Sequence, residues 1–268
     1  MKYAFQVGAV AFFLGVLWTV VTTDEYPPKD MAAFDRMKRE RRGLAAGVQE
    51  IVAAVREMPL TMKQLAVVQF FTWLGLFCMW LFYVPAVARH VFGAVDAQSE
   101  IYTRGVEWGT FTFSIYSIVC FLVAFALPRF AAATSRKTVH ATALLCGSAG
   151  LLSVYVIREP WLLVLSMCGV GVAWASILSM PYAILAGSLP AGRIGLYMGV
   201  FNFFIVLPEI LQALTFGPLI RTAFGEGNPH APVYVVLIGG GCLALAALLV
   251  SRVHDPVAVA EPPVSVSR

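Results

Sequence analysis

Seven apolar stretches, each 19 to 27 residues long, set the terms on which this chain can fold: Tyr3–Val21, Leu65–Ala88, Trp108–Leu127, Val139–Ile157, Trp161–Leu185, Ile194–Ile220 and Pro232–Val250. A helix of about 20 apolar residues spans a bilayer. Inside lipid, every backbone polar group must find its partner within the structure. The stretches therefore predict an all-α membrane protein with seven transmembrane helices. Composition agrees, because only 13% of the residues are charged and 59% are hydrophobic, against about 25% charged in soluble domains. The first stretch is longer than the apolar part of a usual signal peptide. The "VVTTDEYPP" that follows offers no small-x-small cleavage site, so the helix is expected to stay.

Charge gives the predicted orientation. With the N-terminus outside, 14 of the 19 Lys and Arg residues fall on the cytoplasmic side. Basic residues favour that side, which also places the C-terminus in the cytoplasm. The expected location is a plasma membrane, the inner membrane of a bacterium. The net charge of +4 follows from this asymmetry and points to no nucleic-acid partner, since the basic residues lack interleaved stacking aromatics. Cys78, Cys120, Cys146, Cys168 and Cys242 all fall in predicted helices at unrelated spacings, so no disulfide framework or metal pattern follows. No histidine pairs with a second ligand at metal spacing; His140 is read as lying near an inner helix end. No cofactor is expected.

The layout is one helix (1–21), a cytoplasmic loop (22–64), six closely spaced helices (65–256) and a Pro-rich tail (257–268) read as disordered. Within the loop, Leu44, Val48, Ile51, Val52 and Val55 recur at helical spacing, predicting an amphipathic helix. Arg36, Lys38, Arg39, Arg41 and Arg42 precede it. A basic, amphipathic segment of this kind suits the bilayer surface and its anionic headgroups; a solvated linker helix is the equal alternative.

The polar residues inside the apolar stretches are the candidates for chemistry. Glu209 is the only ionisable side chain deep within any of them. A carboxylate at the bilayer centre costs about 2.5–3.5 kcal/mol on insertion scales, so such groups face a bundle interior or a watery path. Glu209 is accordingly the candidate for cation coupling. Asn202, Glu209 and Gln212 are spaced by seven and three, a polar stripe along one helix. Gln69, Trp73 and Trp80 share a face of the second stretch. An amide beside indoles suits a sugar, whose C–H face stacks on the ring while its hydroxyls bond the polar groups. In the fifth stretch Pro181 predicts a kink, and Trp174 and Ser179 are the residues expected to face a cavity there.

Three strings, "FFTWLGLFCMWLFYVPAVARHVFG", "GVAWASILSMPYAILAGSLP" and "GLYMGVFNFFIVLPEILQ", resemble spans seven, ten and eleven of the glycoside–pentoside–hexuronide:cation symporters. Specifically, they resemble the sucrose and maltose proton-symporter branch within the major facilitator superfamily. The resemblance implies that the chain corresponds to span six, the central loop and the six-helix C-terminal half of that fold. It implies alternating-access uptake of a glycoside driven by protons (or sodium), with Gln69, Trp73, Asn202 and Glu209 facing the substrate. It also implies that an N-terminal half supplies the opposite wall. "LPRFAAATSRKTVH" keeps only the basic pair Arg136-Lys137 of the superfamily's cytoplasmic signature.

Other classes fare worse. A retinal protein needs a lysine in the last helix, and Lys2, Lys29, Lys38, Lys63 and Lys137 all lie elsewhere. The spans carry no paired acidic or histidine ligands and no Ser/His arrangement for an intramembrane enzyme. The alternative to a carrier is an inactive or truncated remnant, or a non-transporting membrane partner subunit.

Overall fold

A computed structural model describes residues 2–23, 30–32, 34, 36, 44–225 and 227–255. Two compact parts, residues 1–52 and 53–268, are distinguished. The first contains α1 (Lys2–Thr22), a single apolar helix. The amphipathic helix is α2 (Leu44–Arg56), which runs across the division; its Val48, Val52 and Val55 are exposed and its Ala54 is buried. Lys38, Arg39, Arg41 and Arg42, and the tail from 256 onward, lie outside the described residues.

The second part is a helical bundle: α3 (Leu60–Ala86), α4 (Glu100–Ala124), α5 (Leu127–Ala133), α6 (Arg136–Ser153), α7 (Leu162–Ile177), α8 (Met180–Ala186), α9 (Ile194–Phe224) and α10 (Ala231–Val250). Among the described residues, five helical segments are long and apolar enough to cross a membrane: 60–91, 100–133, 162–186, 194–224 and 231–250. The fourth predicted span corresponds to α6, 18 residues that open with Arg136 and Lys137 and carry His140 a turn later.

Helix starts and stops follow local chemistry. Ser99 caps α4 by accepting from the Tyr102 amide, so this helix begins eight residues before its apolar stretch. Ser135 caps α6 in the same way through the Thr138 amide. Pro85 lies inside α3, and past it the helix widens into a π turn, Val87–Val91, closed by the Phe92 amide on the Val87 carbonyl at 3.1 Å. The proline effect is greater in the fifth predicted span. That span is two helices, α7 and α8, separated at Leu178 and Ser179, with Pro181 in the first turn of α8. Proline has no N–H for the Ile177 carbonyl one turn back, and it is tolerated best at a helix start. The expected kink is thus a break.

Packing relies on close backbone approach. α3 and α10 cross at Gly75 and Gly239, where a Cβ on Gly75 would sit 2.7 Å from the Gly239 carbonyl oxygen. α6 and α7 meet through Gly147, Gly150 and Gly169; a Cβ on Gly150 would reach within 2.3 Å of the Ser166 carbonyl oxygen. Small residues permit this in membranes, where apolar burial gives helices little reason to associate. α10 also packs on α6, α4 on α7, and α9 on α3.

The two ends of the bundle are fastened differently. At one, the segment after α10 is tied to the starts of α3 and α6. Thr61 donates to the His254 carbonyl (2.8 Å), the His254 amide donates to Gln64 Oε1 (2.7 Å), and Lys137 donates to the Ser251 carbonyl (3.1 Å). At the other, Trp108 Nε1 donates to the Pro160 carbonyl at 2.8 Å, and its ring meets Trp161 edge-on at 4.6 Å. His90 stacks on Tyr155 there and lies within hydrogen-bond distance of its carbonyl.

Candidate functional site

α3 carries the centre of the site. At 100° per residue, Gln69, Trp73 and Trp80 fall within about 40° of each other on one face of this helix. The structure turns that face toward Trp174 on α7. The Trp73 and Trp174 rings are 5.9 Å apart, Trp80 and Trp174 5.5 Å, and Trp73 and Trp80 6.0 Å, all in edge-to-face geometry. These separations lie in the range favoured by the ring quadrupoles. Four of the sequence candidates are therefore brought together across two helices that are about 100 residues apart in the chain.

Tyr116 of α4 joins this cluster, 6.5 Å from Trp174, and Phe77 caps Trp80 at 5.0 Å. Sequence reasoning passed over Tyr116. It lies on the same face as Gly105, Gly109 and Thr112, the face α4 buries, and that spacing was the available signal. A second tie joins α3 and α4: the Tyr83 hydroxyl donates to Thr112 Oγ1 at 2.9 Å, Thr112 in turn donating to the Trp108 carbonyl.

Among the described residues, three buried polar atoms of the cluster have no protein partner. Gln69 is fully buried, and neither its Oε1 nor its Nε2 is hydrogen-bonded; buried Trp73 Nε1 is likewise unbonded. A buried polar group with no partner costs about 1–3 kcal/mol, and native structures hold few of them. Here one acceptor and two kinds of donor are concentrated within a turn of helix, beside a wall of indole rings. Such a surface can bond hydroxyl groups and stack an apolar ring face.

The remaining candidates are placed elsewhere. Gln212 of α9 is buried and its Nε2 contacts Cys78 Sγ at 3.8 Å, while its Oε1 has no partner. Cys78 follows Gln69 by nine residues, half a turn around α3, so Gln212 packs on the side of α3 away from Gln69. Asn202 and Glu209 share a face of α9; Asn202 is exposed and Glu209 is half-buried. Ser179 sits at the α7–α8 break, its hydroxyl donating to the Ala175 carbonyl at 2.8 Å. That bond satisfies one backbone acceptor at the interruption and leaves the Ser179 oxygen as an acceptor only.

A further polar contact was not expected. His140, read as lying near a helix end, is fully buried; its Nδ1 lies 2.9 Å from Ser176 Oγ, and its Nε2 has no partner. Its position four residues after Arg136 was the visible cue.

The sequence resembles known transporters over most of its length. Sucrose transport protein SUT1 of Oryza sativa subsp. japonica is 25% identical over 255 residues, covering 85% of this chain and 47% of that protein. Sucrose transport protein SUT3 of the same subspecies is 26% identical, with 94% and 55% covered. Sucrose transport protein SUC4 of Arabidopsis thaliana is 24% identical, with 96% and 54% covered. The chain thus spans about half the length of the curated relatives it matches. Residues 1–213 match the family profile of the Major Facilitator Superfamily. With its apolar membrane-spanning helices, this integral membrane chain belongs to the major facilitator superfamily.

Proposed function

We propose that this chain forms one wall of a sugar carrier, and that it takes part in secondary active transport of a glycoside, a disaccharide by preference, coupled to protons. The observation that carries the reading is the unpartnered Gln69 amide and Trp73 indole N–H beside Trp80 and Trp174. In this reading one sugar ring stacks against the indoles while its hydroxyls accept from Trp73 Nε1 and Gln69 Nε2 and donate to Gln69 Oε1. The likeness to sucrose transport proteins supports the same substrate class. Binding sites in this superfamily lie between two halves near the bilayer midplane, so the opposite wall comes from an N-terminal half.

Glu209 is the proposed coupling residue. A half-buried carboxyl on a membrane helix can exchange a proton with a watery path, and Asn202 on the same face gives that path a second polar group. Ser179 is assigned to the lining of the route rather than to its centre, whereas Gln212, packed on Cys78 on the far side of α3 from Gln69, is left out of it. The proposed location is a bacterial inner membrane, with the N-terminus outside.

Uptake of labelled disaccharide into cells expressing the carrier tests this, with and without an uncoupler. Energised uptake that collapses with the uncoupler is expected, and Glu209→Gln should abolish accumulation against a gradient while leaving exchange of sugar across the membrane. Accumulation indifferent to the uncoupler would remove proton coupling; accumulation by Glu209→Gln equal to that of the unmodified carrier would remove Glu209.

A further inference from the structure

Arg89 and Arg221 are each the first residue past an apolar stretch, Leu65–Ala88 in one case and Ile194–Ile220 in the other. Both residues therefore stand at the depth where a bilayer's hydrocarbon gives way to its headgroups. The structure brings them together. They line one recess of about 240 Å³ between the end of α3, the end of α9 and the start of α10. Phe82, Ile220 and Pro232 give the rest of its lining an apolar character. Phe82 follows Gln69 by thirteen residues, about 140° around α3. The recess thus lies on a different side of that helix from the indole cluster.

Little in the protein occupies these two cations. Arg89, half-buried, donates from Nη1 to the Val95 carbonyl at 3.3 Å, and its guanidinium lies 5.7 Å from the Tyr102 ring centroid. Arg221 is exposed, and among the described residues neither arginine has a carboxylate partner. Asn228 also lines the recess but is engaged in its own turn. Its Nδ2 donates to the Phe224 carbonyl at 2.8 Å, and its Oδ1 accepts from the His230 amide at 2.9 Å. The described lining holds no carboxylate, so it offers nothing to the ammonium of a zwitterionic headgroup. Glu226, in the connection between α9 and α10, lies outside the described residues.

We propose that this recess is a binding site for an anionic phospholipid, with the phosphodiester held between Arg89 and Arg221 and the upper acyl methylenes against Phe82, Ile220 and Pro232. Arginine suits the task, since its planar fork donates two parallel hydrogen bonds to one phosphate. Basic pockets between membrane helices recognise anionic headgroups in this way. A bare phosphate would satisfy the arginines but leave the apolar lining uncovered, which favours the lipid. A lipid so placed ties the end of α9 to α3 and α10. Its test measures no transport, so loss of the sugar reading would leave the lipid site standing, and the converse.

The purified full chain is melted in detergent while phosphatidylglycerol, phosphatidylethanolamine or inorganic phosphate is titrated in. Phosphatidylglycerol should raise the melting temperature at the lowest concentration, since a ligand of the folded state stabilises it by mass action. Phosphatidylethanolamine should act only at higher concentration, and inorganic phosphate should have no effect over the same range. Arg89→Ala and Arg221→Ala should each raise the half-effect concentration of phosphatidylglycerol at least about tenfold, the loss of one charge-assisted bond. Arg104→Ala, exposed and paired with Glu100 at 2.7 Å, is the control and should leave that concentration unchanged. Glu226→Gln should not weaken the effect. If Arg89→Ala does not fold, the exposed Arg221→Ala carries the test alone. Equal protection by the two lipids, no shift in Arg221→Ala, an equal shift in Arg104→Ala or lost selectivity in Glu226→Gln would each overturn the site. Protection by inorganic phosphate at the lipid's concentrations would mark a free-anion site and overturn the lipid as occupant.

Discussion

Gln69 is a residue whose presence the fold does not explain. It is fully buried with both amide atoms unpartnered, at an expected cost of about 1–3 kcal/mol for each unmet group. Stability and function therefore make opposite demands on it. Gln69→Leu is expected to raise the melting temperature of the protein in detergent and to abolish sugar uptake. A variant that loses both would mark Gln69 as a structural residue. Trp73→Phe keeps one aromatic ring against Trp80 and Trp174 but removes the unpartnered N–H together with the second ring of the indole. Loss of about one hydrogen bond corresponds to roughly 0.5–1.5 kcal/mol, so the KM for disaccharide should rise at least several-fold. An unchanged KM would take Nε1 out of the site.

At the scale of elements, glycine placement decides which helices can meet. α3 and α10 touch backbone to backbone at Gly75 and Gly239, and neither carbonyl can move aside like a flexible side chain. Gly75→Ala should lower the melting temperature by the equivalent of about 1–3 kcal/mol, as overpacking does. Gly199→Ala in α9 meets no neighbouring atom within 4 Å and should be neutral or slightly stabilising, since alanine favours helix. Equal effects at the two sites would contradict the crossing. The same distinction explains what the amino-acid pattern could convey. Long apolar runs locate helices because lipid forbids any other backbone arrangement, and Pro181 announced an interruption because a missing N–H is a local fact. The start of α4 was legible only to capping chemistry at Ser99, since hydropathy ignores a helix that continues past the apolar zone. Which helices touch is set by inter-helix register, for which a single sequence offers no direct signal. Gln69, Trp73 and Trp80 could be put on one face by counting, but their meeting with Trp174 and Tyr116 depends on how α3, α4 and α7 cross. Gln212 shows the converse: it shares a stripe with Glu209 by spacing, yet it packs against Cys78 on the far side of α3.

For the whole molecule, burial is distributed unevenly. Half of the apolar window of segments 60–91, 162–186 and 231–250 is buried, against 11% for 100–133 and 22% for 194–224. α4 and α9 therefore present most of their surface outward, to lipid or to an opposite half, and Asn202 and Glu209 lie on the second of them. A lipid-facing Glu209 would carry the full insertion penalty, whereas a face turned to a second half would not. The basic residues supply the other global constraint, since they collect on the end where α3 and α6 begin. That end should be cytoplasmic. A membrane-impermeant maleimide separates the possibilities in intact cells and inverted vesicles. Val95 is 81% exposed in the connection between α3 and α4, and Gly192, between α8 and α9, has open space where a side chain would go. Val95→Cys should react in intact cells and Gly192→Cys only in inverted vesicles, over a low background because the five native cysteines are buried or half-buried. The reverse pattern would invert the bundle, and Arg136, Lys137 and Asp255 would then face the exterior.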